Sequence, residues 1–448
     1  MKHRRVHLKT VFAALGWLSC SVVNSADISS LPGSTLEEFF TAAINFSPEL
    51  QIAQENLNIT GAQKKAANSR LLPQLSAGAN VSENRLDQLN TFREFDGERY
   101  FLSLTQTLFN WQQFSARKQA YLIEDQAEEE YYYRLASILT EVAERYFIVL
   151  QSEDALESIE SEIDALTNQL DQIQNLFDRQ LAQITDLYQG RASLASAEAE
   201  RLRILAENAI SREGLRSISG LEVGPIFRLS QDAELPSIEL SQEYYLEQTR
   251  EKNHLILARQ YALEAADERI SERKGAYLPQ VSFIAQRQDS NVGFDNLPIN
   301  KTDTTYIGFN VSIPIYAGGG NKASVSEARS RRSIAEFELK AAQLEARENV
   351  RAAYLQVQAS EVQTEAARIL VESTRIAAEA MQQGFNFGTV TSVDVLNALR
   401  DQFQAERDLQ RTRYDHIRYF LALKRETGTL SAEDMIEIGA WFEPPPAR

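Results

Sequence analysis

The chain has 448 residues, of which 43% are hydrophobic and 24% charged, a composition that predicts an ordered protein and excludes a disordered one. Its length exceeds that of an ordinary single domain, so two domains or an extended architecture are expected. Acidic residues outnumber basic ones to give a formal charge of −17, which argues against nucleic acid and against anionic lipid as partners.

Residues 1–26 have the organisation of an export signal peptide. A basic beginning is followed by the apolar run 11–23 and then by the small residues Ser25 and Ala26 at a cleavage point. The apolar run is too short to span a bilayer comfortably. These 26 residues hold four basic residues and no acid, so the exported chain carries −21.

Cys20 is the only cysteine and lies inside this signal segment, so the exported chain has no disulfide or thiol chemistry. Two interpretations of Cys20 remain: an ordinary residue of the apolar run, or a lipid-attachment site. Trp17 stands where the lipid-attachment pattern has a small aliphatic residue, which favours the ordinary residue.

An internal repeat dominates the rest of the chain. Three landmarks recur in one order at a spacing of 206–208 residues: Leu72-Pro73-Gln74 as Leu278-Pro279-Gln280, Leu104–Phe109 as Val311–Tyr316, and the pair Phe177 and Asp186 as Phe385 and Asp394. This predicts two tandem copies, residues 27–223 and 224–430, because repeated spacing is the signature of repeated structural units. The tail 431–448 carries no motif that predicts a function.

Each copy begins with a predicted helix, at residues 36–70 and 241–275, and Pro73 or Pro279 then favours extended backbone. Alternating apolar and polar residues follow, which is typical of a strand with one apolar face. The predicted strands are at about 74–86 and 98–109 in the first copy and at about 280–291 and 304–315 in the second, with turn-rich loops at 84–98 and 289–303.

Very long helices follow each predicted hairpin. No Gly or Pro occurs at residues 98–189 or 321–383, and apolar residues step through the first helix at coiled-coil spacing: Ile159, Ile163, Leu166, Leu170 and Ile173. The helices break at tips near 178–183 and 384–389, where return helices begin. The predicted fold class is α+β, mainly α, with a β-hairpin and a long coiled-coil helical hairpin in each copy.

Four strands with one apolar face cannot close a barrel in a bilayer, because an open edge in lipid leaves backbone groups unsatisfied. Either the strands form a small soluble sheet, or several chains pool them. Three chains would give a 12-stranded barrel continuous with an α-helical barrel, and a helical hairpin approaching 100 Å favours pooling.

Five motifs together resemble the TolC family of outer-membrane efflux proteins: residues 71–75 (Leu-Leu-Pro-Gln-Leu), 104–110 (Leu-Thr-Gln-Thr-Leu-Phe-Asn), 184–186 (Ile-Thr-Asp), 312–319 (Ser-Ile-Pro-Ile-Tyr-Ala-Gly-Gly) and 388–396 (Gly-Thr-Val-Thr-Ser-Val-Asp-Val-Leu). The resemblance implies a homotrimeric channel in the outer membrane of a Gram-negative bacterium, in contact with its lipid, with a periplasmic helical domain. It also implies docking with an inner-membrane transporter and a periplasmic adaptor, for drug efflux or type I protein secretion.

The sequence predicts neither an enzyme nor a cofactor or metal site. Outside the signal segment only His254 and His416 remain, and no His/Cys cluster has metal-ligand spacing. The run Gly318-Gly319-Gly320 lacks the end of a phosphate-binding loop and is interpreted as a turn between strand and helix. The alternative to a channel is a soluble periplasmic coiled-coil scaffold or adaptor.

The candidate functional residues lie at the helix tips. Asp394 and Asn397 are three apart on a return helix and share a face. The resemblance implies that these positions ring the pore at a periplasmic constriction, with Asp186 as the partner acid of the first repeat. The other interpretation is that Asp394 caps its helix.

Several tip residues depart from the family pattern. The second ring acid is Asn397, the gate Arg is Val390, and the Tyr that bonds across helices is Phe385. We therefore expect packing by Phe385 and a single acid ring at the gate. The tip residues Gln180, Leu181, Gly388 and Thr389 are the candidates for adaptor docking, and Gln180 stands where glycine is usual.

Overall fold

The computed structural model describes residues 35–88, 91–230, 233, 235–238, 240–293 and 297–444. The predicted signal segment 1–26, with Cys20, lies outside them. The described elements, in chain order, are α1 (Leu36–Phe46), α2 (Pro48–Ser69), β1 (Gln74–Gln88), β2 (Thr91–Phe109), α3 (Trp111–Asp178), α4 (Ile184–Ser219), β3 (Arg228–Leu229), α5 (Gln242–Lys252), α6 (His254–Lys274), β4 (Gln280–Val292), β5 (Pro298–Ser312), α7 (Gly320–Asn386), α8 (Ser392–Thr427), α9 (Ala432–Gly439) and β6 (Phe442–Glu443).

The first predicted helix of each copy is wrong in one respect, because each is broken into two. Ser47 (φ −62°, ψ 115°) separates α1 from α2, and Asn253 (φ −64°, ψ 117°) separates α5 from α6. Pro48 disfavours helical backbone at the residue before it. Asn253 accepts a hydrogen bond from the Ile256 N–H at 3.1 Å and so caps α6.

The long helices agree with the prediction. Helix α3 has 68 residues and α7 has 67, each about 100 Å long at ~1.5 Å per residue. The apolar residues predicted at coiled-coil spacing on α3 pack against α4. Ile159, Leu166 and Ile173 form one cluster with Leu187 and Ile204 of α4. Helix α7 pairs with α8 in the same way, so the described chain has two long helical hairpins. No helix in the described ranges is both long and apolar enough to cross a membrane.

The four main strands form one antiparallel sheet in the order β1-β2-β4-β5. The predicted loops 84–98 and 289–303 are wrong over residues 84–88, 91–98, 289–292 and 298–303, which belong to strands. The β1–β2 pairing reaches Gln88 opposite Thr91, and the β4–β5 pairing reaches Val292 opposite Pro298. Polar composition suggested loops, but opposite charges pair across these strands, as Arg85 does with Glu94 at 2.6 Å.

The end of β5 also differs from the prediction, which placed it near residue 315. The strand ends at Ser312, just before the Pro314 ring, which has no N–H to donate to a ladder. Beyond it, Gly318 (φ +60°) and Gly319 (φ +83°) turn the chain into α7. The left-handed backbone at these two residues agrees with the interpretation of the glycine run as a turn.

The pairing register gives the sheet one apolar and one polar face. Residues directly opposite each other share a face, so Leu75, Val81, Leu102, Phe283, Ile307 and Phe309 lie on one side. On the other side lie Ser76, Asn80, Ser103, Gln286 and Asn310. Most of the apolar side chains are well exposed in the single chain, which marks this face as an interaction surface.

The largest core lies midway along the helices, where the two hairpins meet. Tyr146 and Phe147 of α3 pack with Tyr414 of α8 and Phe442 of β6, and Phe147 stacks on both Tyr414 and Phe442 with ring centroids about 6 Å apart. Strand β6 pairs with β3. The C-terminal segment, for which the sequence predicted no function, therefore covers this core.

A half-buried carboxyl group lies in the same region. The Tyr414 hydroxyl donates a hydrogen bond of 2.6 Å to Asp154 Oδ2. Burial raises the pKa of Asp154, against the lowering effect of that hydrogen bond. Because the carboxylate is poorly solvated there, the folded chain binds a proton at this group more readily than the unfolded chain does.

The two helix tips have the same backbone turn. At the first, the Leu181 N–H donates to Leu176 O at 2.8 Å, and at the second the Thr389 N–H donates to Gly384 O at 2.9 Å. This is the bonding pattern of a helix end with one left-handed residue. Gly388 fills that position in the second tip with φ +73°, but Gln180 fills it in the first with φ +61°.

The side chain of Gln180 is therefore expected to strain the first tip. Substituting Gln180→Gly should raise the free energy of unfolding of this turn by about 1 kcal/mol, because a left-handed backbone costs roughly that for a residue with a Cβ. Gly388→Gln is the reciprocal control and should destabilise the second tip by a similar amount. Hydrogen exchange of the tip amides measures both, and equal exchange in wild type and Gln180→Gly would contradict the prediction.

Asp154 is expected to make stability fall as the pH rises. A pKa raised in the folded state gives a contribution that is fully present below the unfolded value of about 4 and is lost as the pH rises through the folded value. Asp154→Asn keeps an acceptor for Tyr414 and should flatten the fall of the melting temperature as the pH rises above about 4. Asp164→Asn, at an exposed position of the same helix, is the control and should leave the wild-type dependence in place.

Candidate functional site

The predicted acids of both tips cap the helices that begin there. Asp394 accepts hydrogen bonds from the Thr391 N–H at 3.2 Å and the Thr391 hydroxyl at 2.6 Å, and its own N–H donates to Thr391 Oγ1 at 3.3 Å. Asp186 accepts a longer bond of 3.4 Å from the Gln183 N–H. Both acids are the third helical residue of a capping box, where a negative charge also favours the helix dipole.

The capping role leaves Asp394 at the surface. Asp394 and Asn397 are both exposed and lie about one turn apart on α8, so they share a face as predicted. Asp186 is half-buried at the start of α4. Within the described residues no hydrogen bond joins the acids of the two tips, so in the single chain they act separately, each on its own helix.

Phe385 links the two hairpins at the tips. It lies in the last turn of α7 and packs against the apolar cluster that includes Ile173, Leu187 and Leu396. Ile173 and Leu187 belong to the first hairpin and Leu396 to the second. The phenyl ring therefore makes an apolar contact between the hairpins.

Val390 turns inward to its own tip. A Cβ added to Gly384 would lie only 2.5 Å from Val390 Cγ2, so the valine packs closely over that glycine. In this position the side chain fills the tip turn and carries no charge that could reach an acid. The departure from the family pattern at residue 390 is thus accompanied by a local apolar contact.

The exposed tip residues include two aromatic side chains that the sequence analysis missed. Gln180, Gly388 and Thr389 are exposed, and Leu181 is 72% exposed, as suits a docking surface. Phe387 is 83% exposed, and Tyr188 on the first turns of α4 is also exposed. Phe387 stands between the last residue of α7 and Gly388, and an aromatic residue at that position was the sequence signal that could have identified it.

A polar seam between α3 and α8 was also missed. Arg407 Nη1 lies 2.8 Å from Glu162 Oε2, and both side chains are mostly buried. Seven residues further along α3, Gln169 is buried and its Nε2 has no hydrogen-bond partner. This seam depends here on a buried ion pair, which is costly when only one partner is removed.

The described residues contain no group of three or more His, Cys, Asp or Glu side chains that could hold a metal ion. His416, one of the two candidate histidines, is buried between Ser360 and the Pro236 carbonyl, at 2.8 and 2.7 Å. His254 pairs with Glu129 at 2.8 Å. Both imidazoles therefore contact neighbouring elements of the fold.

Comparison with known proteins identifies the family of this chain. A family model described as outer membrane efflux protein matches residues 41–221 and 245–429. The chain is 30% identical to outer membrane protein TolC of Vibrio cholerae over 443 residues, covering 96% of this chain and 97% of that protein. It is 22% identical to the alkaline protease secretion protein AprF of Pseudomonas aeruginosa, covering 89% and 85% of the two chains.

The fold agrees with this assignment. The crystal structure of the outer membrane protein VceC of Vibrio cholerae superposes with a TM-score of 0.74 at 20% identity, covering 88% of this chain and 96% of that one. The matched proteins are outer-membrane channels, which favours the channel over the soluble scaffold. The chain belongs to the outer membrane efflux protein family, as a channel for efflux and secretion in the Gram-negative outer membrane with a periplasmic helical domain.

Proposed function

We propose that three copies of this chain form a 12-stranded β-barrel in the outer membrane, continuous with an α-helical barrel in the periplasm. Substrates delivered by an inner-membrane transporter through a periplasmic adaptor leave passively through it. The observation that carries this proposal is the four-stranded sheet, which has an apolar face and is open at both edges among the described residues.

The open edges require further strands if the sheet lies in a bilayer. Strands β1 and β5 each pair on one side only, so each presents a row of free N–H and C=O groups. In hydrocarbon such groups cost several kcal/mol each. Pairing β1 of one copy with β5 of the next satisfies both edges. Three copies give twelve strands, a number within the range of closed outer-membrane barrels.

The helices support the same assembly through a stripe of exposed apolar residues spaced seven apart on α7. Leu355, Val362, Ile369 and Ile376 of α7 are all about half exposed or more. At an offset of 207, Ile369 and Ile376 correspond to Glu162 and Gln169 of α3, which are buried in the seam with α8. If the repeats are equivalent, this face of α7 packs on α4 of the next copy.

The proposed domain division follows the two repeats, residues 27–223 and 224–430. The family model matches the chain twice, once in each proposed repeat. The helix breaks at Ser47 and Asn253 are 206 residues apart with nearly identical dihedral angles, and both tips have the same turn. Six such repeats in a trimer would make a tube with pseudo-sixfold symmetry.

The proposed gate lies at the periplasmic ends of the helices. Threefold symmetry would place three copies of Asp394 and Asn397 around the axis, giving one acid ring, with Asp186 near it on the first tip. A carboxylate that accepts bonds from Thr391 is held in place, because both of its rotatable bonds are fixed. Phe385 would hold the hairpins together when the gate is closed.

The proposed docking surface for the adaptor comprises the tip residues Gln180, Leu181, Gly388 and Thr389. Efflux and secretion channels work with an adaptor and an inner-membrane transporter, so this family membership implies such partners. Because both tips have the same backbone turn, six similar surfaces would face the adaptor in a trimer. The relatives include a protease secretion protein, which makes proteins a candidate substrate class here.

The stripe on α7 gives a direct test of assembly. Val362→Glu would bury a charge at the proposed interface between copies, so the variant should lose the trimer on native gels of detergent extracts. Gln363→Glu introduces the same residue at the adjacent exposed position off the stripe and should leave the trimer intact. A stable Val362→Glu trimer would rule out this interface.

The acid ring is tested in planar bilayers. Asp394→Asn removes the charge and keeps an oxygen that can accept bonds from Thr391, so the helix start should survive. Cation selectivity should fall and block by divalent cations should weaken about tenfold or more, because three charges leave one constriction. Asp186→Asn is the matched control at the other capping box and should have the smaller effect. Unchanged selectivity in Asp394→Asn would refute the ring and leave only the cap.

A further inference from the structure

The apolar face of the sheet carries a shallow groove that the channel function does not use. Its volume is about 670 Å³. Ala77 and Ala79 of β1 and Leu102 of β2 form its floor, and Tyr100 borders it. These residues lie on the apolar face by register, with Ala77 opposite Leu102 and Ala79 opposite Tyr100. Two alanines beside larger apolar neighbours leave a slot.

One end of the groove has a charged rim. Arg287 and Asp289 of β4 and Asp303 of β5 line it, and Leu102 lies directly opposite Arg287. Arg287 binds Asp303 through two hydrogen bonds of 2.6 and 3.1 Å, and Lys301 Nζ lies 3.3 Å from Asp289. The acids stand directly opposite each other across the strands, so each is balanced by its own cation.

The charges follow one order along the sheet: a cation, a pair of acids and a second cation. Arg287 is opposite Thr305, four residues from Lys301, so the two cations start from backbone positions about 13 Å apart. The acid pair Asp289 and Asp303 lies between them.

The position of this rim along the strands places it in the outer leaflet of the membrane. The helices are periplasmic, so the strand ends furthest from them face the exterior. Arg287 lies seven residues beyond Gln280, about 23 Å along β4. The strands of an outer-membrane barrel tilt by about 40°, so this distance is roughly 18 Å along the membrane normal, within an apolar band ~25 Å tall. The rim therefore lies in the outer leaflet, where long cationic side chains reach toward the headgroups, and the groove extends into the acyl layer.

We propose that this groove binds the phosphorylated glycolipid of the outer leaflet. One acyl chain lies over Ala77, Ala79 and Leu102, where methyl groups exclude water. Two phosphates of the headgroup contact Arg287 and Lys301, and sugar hydroxyls between them donate to Asp289 and Asp303. This inference rests on the proposed barrel, which sets the face of the sheet that meets lipid.

Charge complementarity favours this occupant over other lipids. A headgroup with phosphates at its two ends and hydroxyl donors between them matches the cation–acid–cation order of the rim. A phospholipid with one phosphate meets one cation and leaves an acid pair facing its negative charge. The net charge of the chain is irrelevant to this contact, because charges beyond about 8–10 Å are screened by salt.

The test uses the detergent-purified full chain and measures lipid retention by native mass spectrometry. The probes are bis-phosphorylated lipid A, its mono-phosphorylated form, and phosphatidylethanolamine. Ala79→Phe fills the slot, and Val81→Phe adds a phenyl group to the same face of the same strand outside the groove. Displacing about two methylenes of the acyl chain should weaken retention of bis-phosphorylated lipid A about tenfold in Ala79→Phe only.

A second variant tests the rim. Arg287→Gln with Asp303→Asn removes one charge of each sign and leaves the net charge unchanged, and it should abolish the preference for two phosphates over one. Equal retention in Ala79→Phe and Val81→Phe, or equal retention of phosphatidylethanolamine and lipid A by wild type, would overturn the proposal. Trimer formation and conductance of the same samples report separately on the channel: a wild type without them contradicts the proposed function, whatever lipid it retains.

Discussion

The unpaired backbone groups at the two edges of the sheet are the constraint on which the assembly depends. A lipid-facing strand cannot leave its N–H and C=O groups without partners, and four strands are too few to pair them all. In the proposed assembly the free edges of β1 and β5 pair with neighbouring copies. The same symmetry would bring the exposed stripe of α7 against another helix, so one requirement at the sheet would also set the packing of helices about 100 Å long.

The contact between the two hairpins changes along its length. Midway it is aromatic, where Phe147 of α3 stacks on Tyr414 of α8. Nearer the tips it contains the Glu162–Arg407 ion pair, and the buried amide of Gln169 has no partner. Burial of these groups adds less to stability than apolar packing does. Movement of one hairpin against the other is therefore less costly near the tips than at the middle, and Phe385 adds an apolar contact at the tip.

The net charge of the chain does not describe how charges are arranged locally on the sheet. The acidic excess argues against anionic lipid as a partner of the chain as a whole. Yet the outer part of the sheet places Arg287 and Lys301 beside acids in a fixed order. Because salt screens distant charges, a lipid headgroup responds only to those within about 10 Å. The strand register, which the net charge does not contain, decides which charges those are.

The sequence by itself determined the long helices, the faces of the strands and the position of the tips, because periodicity and Gly or Pro placement act locally, and its repeated spacing is the basis of the proposed repeats. It missed the outer parts of the strand pairs, up to Gln88 with Thr91 and Val292 with Pro298, since ion pairs such as Arg85 with Glu94 form only after the strands are aligned. It missed the helix break at Asn253, and it left open whether Asp394 is a cap, which the bonds to Thr391 establish. Only the tertiary structure brought Glu162 to Arg407 and Arg287 to the groove beside Ala79, because these contacts join residues far apart in sequence and depend on register.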